Sequence, residues 1–96
     1  MVGIMKSIIQ TEKECWVCGT TLNLHTHHIF YGPNRKNSER LGLKIYLCAR
    51  HHNMSNEGVH FSQDLDDKIK IMAQKKFEET HTREEFMAII GRNYIL

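Results

Sequence analysis

The chain has no run approaching the roughly eighteen consecutive apolar residues that a membrane-spanning helix needs, so no membrane partner is expected. Its first ten residues, MVGIMKSIIQ, interrupt any apolar stretch with Lys6, and no small-residue cleavage site follows; no targeting segment is read there. Net charge is only +2, from 13 Lys+Arg against 11 Asp+Glu, too little to argue for nucleic acid from bulk charge. A disulfide framework is missing as well: three cysteines cannot all pair, and without a secretory signal they are expected to stay reduced, in a cytoplasmic setting. There is no internal repeat and no low-complexity tract. At 96 residues, 41% hydrophobic and 25% charged, one small globular domain over 1–96 is expected, with a core too modest to stabilise it comfortably alone.

What is present in excess is histidine. Five of the seven (His25, His27, His28, His51, His52) fall in two tight clusters, and Cys15, Cys18 and Cys48 lie near them. In a reduced setting, Cys beside His reads first as metal binding. Charge is also uneven. Residues 1–60 carry +3 and residues 61–96 carry −1, and residues 31–50 hold five basic residues (Arg35, Lys36, Arg40, Lys44, Arg50) against Glu39 alone. Positive charge thus collects between the histidine clusters, where a phosphate backbone could use it, although a solvated loop face would look the same.

The last third has helix punctuation. Ser62 is a plausible N-cap, and Asp64, Asp66 and Asp67 suit the positive end of the helix dipole. Leu65, Ile69, Met72, Ala73 and Phe77 recur at three- and four-residue spacing, an apolar stripe read as packing surface. Thr82-Arg83-Glu84-Glu85 is a capping box opening a second helix, with Phe86, Ile89 and Ile90 inward and Gly91 as its stop. The earlier residues predict a strand ending near His28, a turn at Tyr31-Gly32-Pro33-Asn34 and a second strand through Leu43, Ile45 and Leu47. A helix from Cys48 to about Asn56 follows, halted by Gly58. The expected order is knuckle, strand, loop, strand, helix.

Cys15-Trp16-Val17-Cys18-Gly19 is a C-x2-C knuckle, with Gly19 able to take the positive φ such turns need. The other half is Cys48-Ala49-Arg50-His51, whose Cys and His lie one helical turn apart. A lone C-x2-C arises by chance; two pairs of equal spacing, at a turn and a helix start, point to a Cys3His structural zinc site. His27, His28, His52 and His60 are left over. His52 is rotated about 100° from His51 on a helix and faces elsewhere, with Asn56 one turn further along its face. A second metal or catalytic centre is expected there.

The knuckle, the strand-end pair His27-His28-Ile29 and the helix-opening Leu47-Cys48-x2-His51-His52 together resemble the HNH nuclease family, whose shared unit is a ββα-metal motif. The run HHIFYGPNRKNSERLGLKIYLCARHHN, followed by Gly58-Val59-His60, is similar to small phage-borne HNH proteins and to RecA-dependent Ref-type nucleases. The resemblance covers residues 15–60, more than half of the chain. It implies an α+β fold: a small zinc-stabilised treble-clef or ββα-metal domain over 15–60, with a helical extension over 61–96. By the same resemblance His27 and His52 bind the catalytic cation and His28 is the general base. The further ligand is His60, preferred over Asn56 because imidazole is the stronger donor. The family's middle Asn, which braces the loop, has no clean counterpart; Gly42 stands about where it is expected, with Asn34 or Asn37 as substitutes. The resemblance also implies a host-cell cytoplasmic, phage or prophage origin and an association with packaging or recombination proteins.

Phosphodiester hydrolysis needs such groups. A neutral imidazole titrating near 6.5 can take a proton from water, and a divalent cation (Mg2+, Mn2+, Ni2+ or Zn2+) held by two or three side chains leaves room for phosphate. Arg35, Lys36 and Arg40 would hold the backbone of DNA. No separate base-reading module is visible, so little sequence selectivity is expected. The rival reading is a treble-clef zinc module that binds nucleic acid or a protein partner without cutting. It accounts for Cys15, Cys18, Cys48 and His51 equally well but gives the remaining histidines no task.

Overall fold

The computed structural model describes residues 6–53, 58–60 and 62–95. Two strands, β1 (Leu24–His28) and β2 (Lys44–Cys48), pair antiparallel, with His25 opposite Leu47, His27 opposite Ile45 and His28 opposite Lys44. Alternation along β1 sends His25 and His27 to one face and Thr26 and His28 to the other. The strand pair is too small to stand alone in water. Its outer edge is therefore covered: Ile8 N–H donates to Gly42 O, Tyr46 N–H to Gln10 Oε1, and Trp16 N–H to Tyr46 O.

The connection between the strands differs from the expected loop. After a 3-10 turn at Gly32–Asn34, residues Arg35–Leu41 form a helix, α1. Arg, Lys, Glu and Leu are good helix formers, and Gly42 ends the helix in the left-handed conformation at φ 72°. Asn34 and Asn37 tie this segment to the far end of the chain, donating to Ile90 O and Ile89 O.

Directly after β2, α2 (Ala49–His52) makes one turn. The helix ends at His52, with Asn53 at φ −149° as its C-cap, short of the expected end near Asn56; Asn56 itself, a candidate ligand, lies outside the described residues. Beyond it, α3 (Gln63–Phe77) is capped by the Ser62 side chain, which accepts from Leu65 N–H, and α4 (Arg83–Ile90) opens on the Thr82–Glu85 capping box and stops at Gly91. Ile69, Ala73 and Phe77 of α3 and Phe86 and Ile90 of α4 are buried against Ile29, Phe30, Leu43, Ile45 and Leu47. The helices thus form one layer and the strand pair another, a small α+β fold with a single core. No described helix is long and apolar enough to cross a membrane.

Candidate metal centres

The knuckle places the first centre. Gly19, at φ 78°, lets the chain reverse so that its N–H donates to Cys15 O at 2.8 Å, and Cys15 N–H donates to Thr20 O at 2.8 Å. Cys48 ends β2 and His51 follows one turn later on α2. The four donor atoms of Cys15, Cys18, Cys48 and His51 lie within 4.8 Å of one another. Cys18 Sγ is 3.8 Å from Cys48 Sγ, and His51 Nδ1 is 3.3 Å from Cys48 Sγ and 3.7 Å from Cys15 Sγ. A tetrahedral zinc ion sets sulfur and nitrogen donors roughly 3.5 to 3.8 Å apart, so the cluster has the size of a zinc site.

The electrostatics agree. Burial opposes ionisation of Cys15, but the backbone N–H groups of Cys48, Cys18 and Val17, with His51, outweigh it and bring the thiol down to about 6. Cys18 moves the other way: the Thr20 N–H favours its thiolate, yet desolvation and the neighbouring Cys15 and Cys48 sulfurs together raise it. Three sulfurs this close repel as thiolates, and a cation between them removes the conflict.

The second cluster joins three separate pieces of chain. His27 comes from β1 and His52 from the end of α2. His60 is returned to His52 by a short backbone ladder, Val59 N–H donating to His51 O at 2.8 Å and His60 N–H to His52 O at 3.2 Å. Their ring nitrogens lie within 4.8 Å of one another, His52 Nε2 being 3.1 Å from His60 Nε2. Burial first, then the nearness of His52 and His60, holds His27 at about 3; burial, His60 and His25 hold His52 at about 4. Both therefore stay neutral at physiological pH, the form that binds metal. His27 Nε2 is buried with no hydrogen-bond partner, a cost of about 1–3 kcal/mol that a cation would remove.

Of the sequence-derived candidates, the structure brings together Cys15, Cys18, Cys48 and His51, close enough to hold one metal ion, and, separately, His27, His52 and His60. His28 is outside both clusters. It lies on the opposite face of β1, where its Nε2 is 2.9 Å from Glu39 Oε1, while Glu39 Oε2 takes the Lys44 ammonium at 2.6 Å. Lys44 and then His28 hold the Glu39 carboxyl below its ordinary range. Arg35, Lys36 and Arg40 are exposed on α1, with Arg40 donating to Asn37 Oδ1. A cavity of about 660 Å³ lined by Lys6, Gln10, Lys13, Lys44 and Tyr46 lies on the His28 side of the sheet and includes no residue of either cluster.

His25, which shares the parity of His27 on β1 and was expected at the surface or behind the ligands, stands behind one, whereas Tyr31, Asp66 and Lys70 were not anticipated. His25 Nδ1 lies 2.9 Å from His52 Nδ1, so one ring donates to the other and His52 Nε2 is turned toward His60. Tyr31 packs beside His27 and His60, its ring centroid 6.2 and 5.9 Å from theirs. Its hydroxyl donates to Asp66 Oδ2 at 3.0 Å, and Lys70 Nζ lies 2.9 Å from the same oxygen. The signal for Asp66 and Lys70 was their i, i+4 spacing beside the apolar stripe, which helix-dipole reasoning alone does not interpret. No family model, curated protein or solved structure matches this chain.

Proposed function

We propose that the chain is a metal-dependent DNA endonuclease of HNH type, built on a treble-clef ββα-metal unit of β1, β2 and α2. The observation that supports it most is the separation of two ligand sets on one strand–strand–helix unit. One is thiolate-rich and suits structural zinc; the other is all imidazole and ends in a buried, unpartnered His27 Nε2. His27, His52 and His60 would hold a divalent cation, which would supply positive charge against the phosphodiester.

The remaining work belongs to the chain. We assign His28, whose Nε2–H is accepted by Glu39, the role of general base through Nδ1; because it lies on the face of β1 opposite His27, that role requires the end of β1 to turn it toward the cation when DNA binds. Lys44 fixes the other oxygen of Glu39 and so the tilt of the pair. Arg35, Lys36 and Arg40 present one exposed basic surface of α1 to phosphates. The test is nicking of supercoiled plasmid by the zinc-loaded chain with added Mg2+, Mn2+ or Ni2+. The native chain is expected to nick with at least one metal, and His28→Ala to lose about 10²-fold or more. A native chain that binds DNA but cuts with no metal would leave the non-cutting zinc module standing instead. Native-like cutting by His28→Ala would remove the base assignment alone.

A further inference from the structure

Tyr31 is 43% exposed although it packs against two histidines of the second cluster. It is not loosely held. Its hydroxyl is tied to Asp66, which is only 3% exposed, and the Lys70 ammonium sits 4.5 Å from its ring centroid. Lys70 also lies 5.6 Å from the ring of Tyr94, on which the exposed Arg92 guanidinium is stacked at 4.9 Å. Tyr31, Lys70, Tyr94 and Arg92 therefore form a strip in which aromatic rings and cations alternate, leading away from His27 and His60. A ring fixed at the rim of a cluster, with cations beside it, is what a nucleotide base and its phosphates would use.

We propose that this strip carries an unpaired stretch of nucleic acid beside the metal cluster, one base stacking on Tyr31 and the following phosphate meeting the exposed Arg92, while Lys70, paired with Asp66, braces the ring. The proposal rests on the nucleic-acid reading above and sharpens its substrate class. A paired base is stacked inside its duplex and has no free face for Tyr31, whereas an unpaired base has one.

The test is fluorescence anisotropy with a labelled 12-nucleotide oligothymidine and a 12-base-pair duplex, using the full zinc-loaded chain across a salt series. The native chain is expected to bind the single strand more tightly. Tyr31→Leu is expected to weaken single-strand binding at least about 5-fold while changing duplex binding less than about 2-fold, and Tyr31→Phe to keep most of the affinity. Arg92→Gln, on the exposed end of the strip, should lower the salt slope for the single strand by about 0.7. Zinc content and melting temperature of each variant check that it is folded; if Tyr31→Leu does not fold, Tyr31→Phe with Arg92→Gln decides the matter through the salt slope. Equal weakening of both ligands, or native-like single-strand binding by Tyr31→Leu, would overturn the strip. A chain that cuts DNA without these effects loses the strip and keeps the nuclease reading; one that binds single strands through Tyr31 but cuts with no metal loses the nuclease reading and keeps the strip.

Discussion

Cys15 and His27 face opposite requirements on a proton. Cys15 must lose one to bind a cation, and four hydrogen-bonding neighbours bring it down to about 6 against the cost of burial. His27 must refuse one, and burial holds it at about 3. Cys15→Ser should therefore cost the chain its tightly bound zinc and its cooperative melt, while His27→Ala should keep that zinc and lose the second site, as metal analysis after dialysis would show. The histidines also set a pH dependence. In the unfolded chain His27 and His52 take up protons near 6.5, whereas the folded chain keeps them neutral to about 3 and about 4. The unfolded state thus binds more protons below 6.5, so stability is fully present above that pH and falls as pH drops toward 4. Melting temperatures at pH 7.5 and 5.0 should show the fall, and His27→Phe, which has no such proton to take up, should show less of it. At this scale the Cys3His donor cluster was legible from spacing alone. The partners of His25, Glu39 and Tyr31 were not, because His52, His28 and Asp66 lie 27, 11 and 35 residues away from them.

Among the elements, α1 has no side-chain N-cap and ends on Gly42 in the left-handed conformation. A Cβ at Gly42 would stand 2.4 Å from Lys6 O and 3.1 Å from Ile8 Cγ2, in a left-handed conformation that already disfavours side chains. Gly42→Ala is expected to cost about 2 kcal/mol or more, read by denaturant titration, because strain and a backbone collision act together. The α4 start is more ordinary: Thr82→Ala removes the acceptor for Glu85 N–H and should cost about 1 kcal/mol in the same titration. The caps of α3 and α4 and their apolar faces could be read in advance because capping and periodicity act within four residues. The interior of α1 was hidden by its charges, which resemble a solvated loop until Ser38 is seen buried, donating to Phe30 O and accepting from Phe30 N–H.

Across the whole molecule, two short strands and a one-turn helix must hold two ligand clusters in place. Removing zinc with a strong chelator is expected to abolish the cooperative thermal transition, and adding back one equivalent of Zn2+ to restore it, as followed by circular dichroism. The amino-acid sequence by itself determined the ligand inventory, the two C-x2 spacings, the helix caps and the alternation that turns His27 inward, since all of these are set by bonds and periodicities a few residues long. Only the tertiary structure decided that His60 meets His27 and His52, that His28 turns to Glu39 on the other face, and that Asp66 and Lys70 of α3 hold Tyr31 at the rim of the cluster. Those pairings join residues brought near by the burial of one shared core, and no local rule of spacing encodes which elements a core will place side by side.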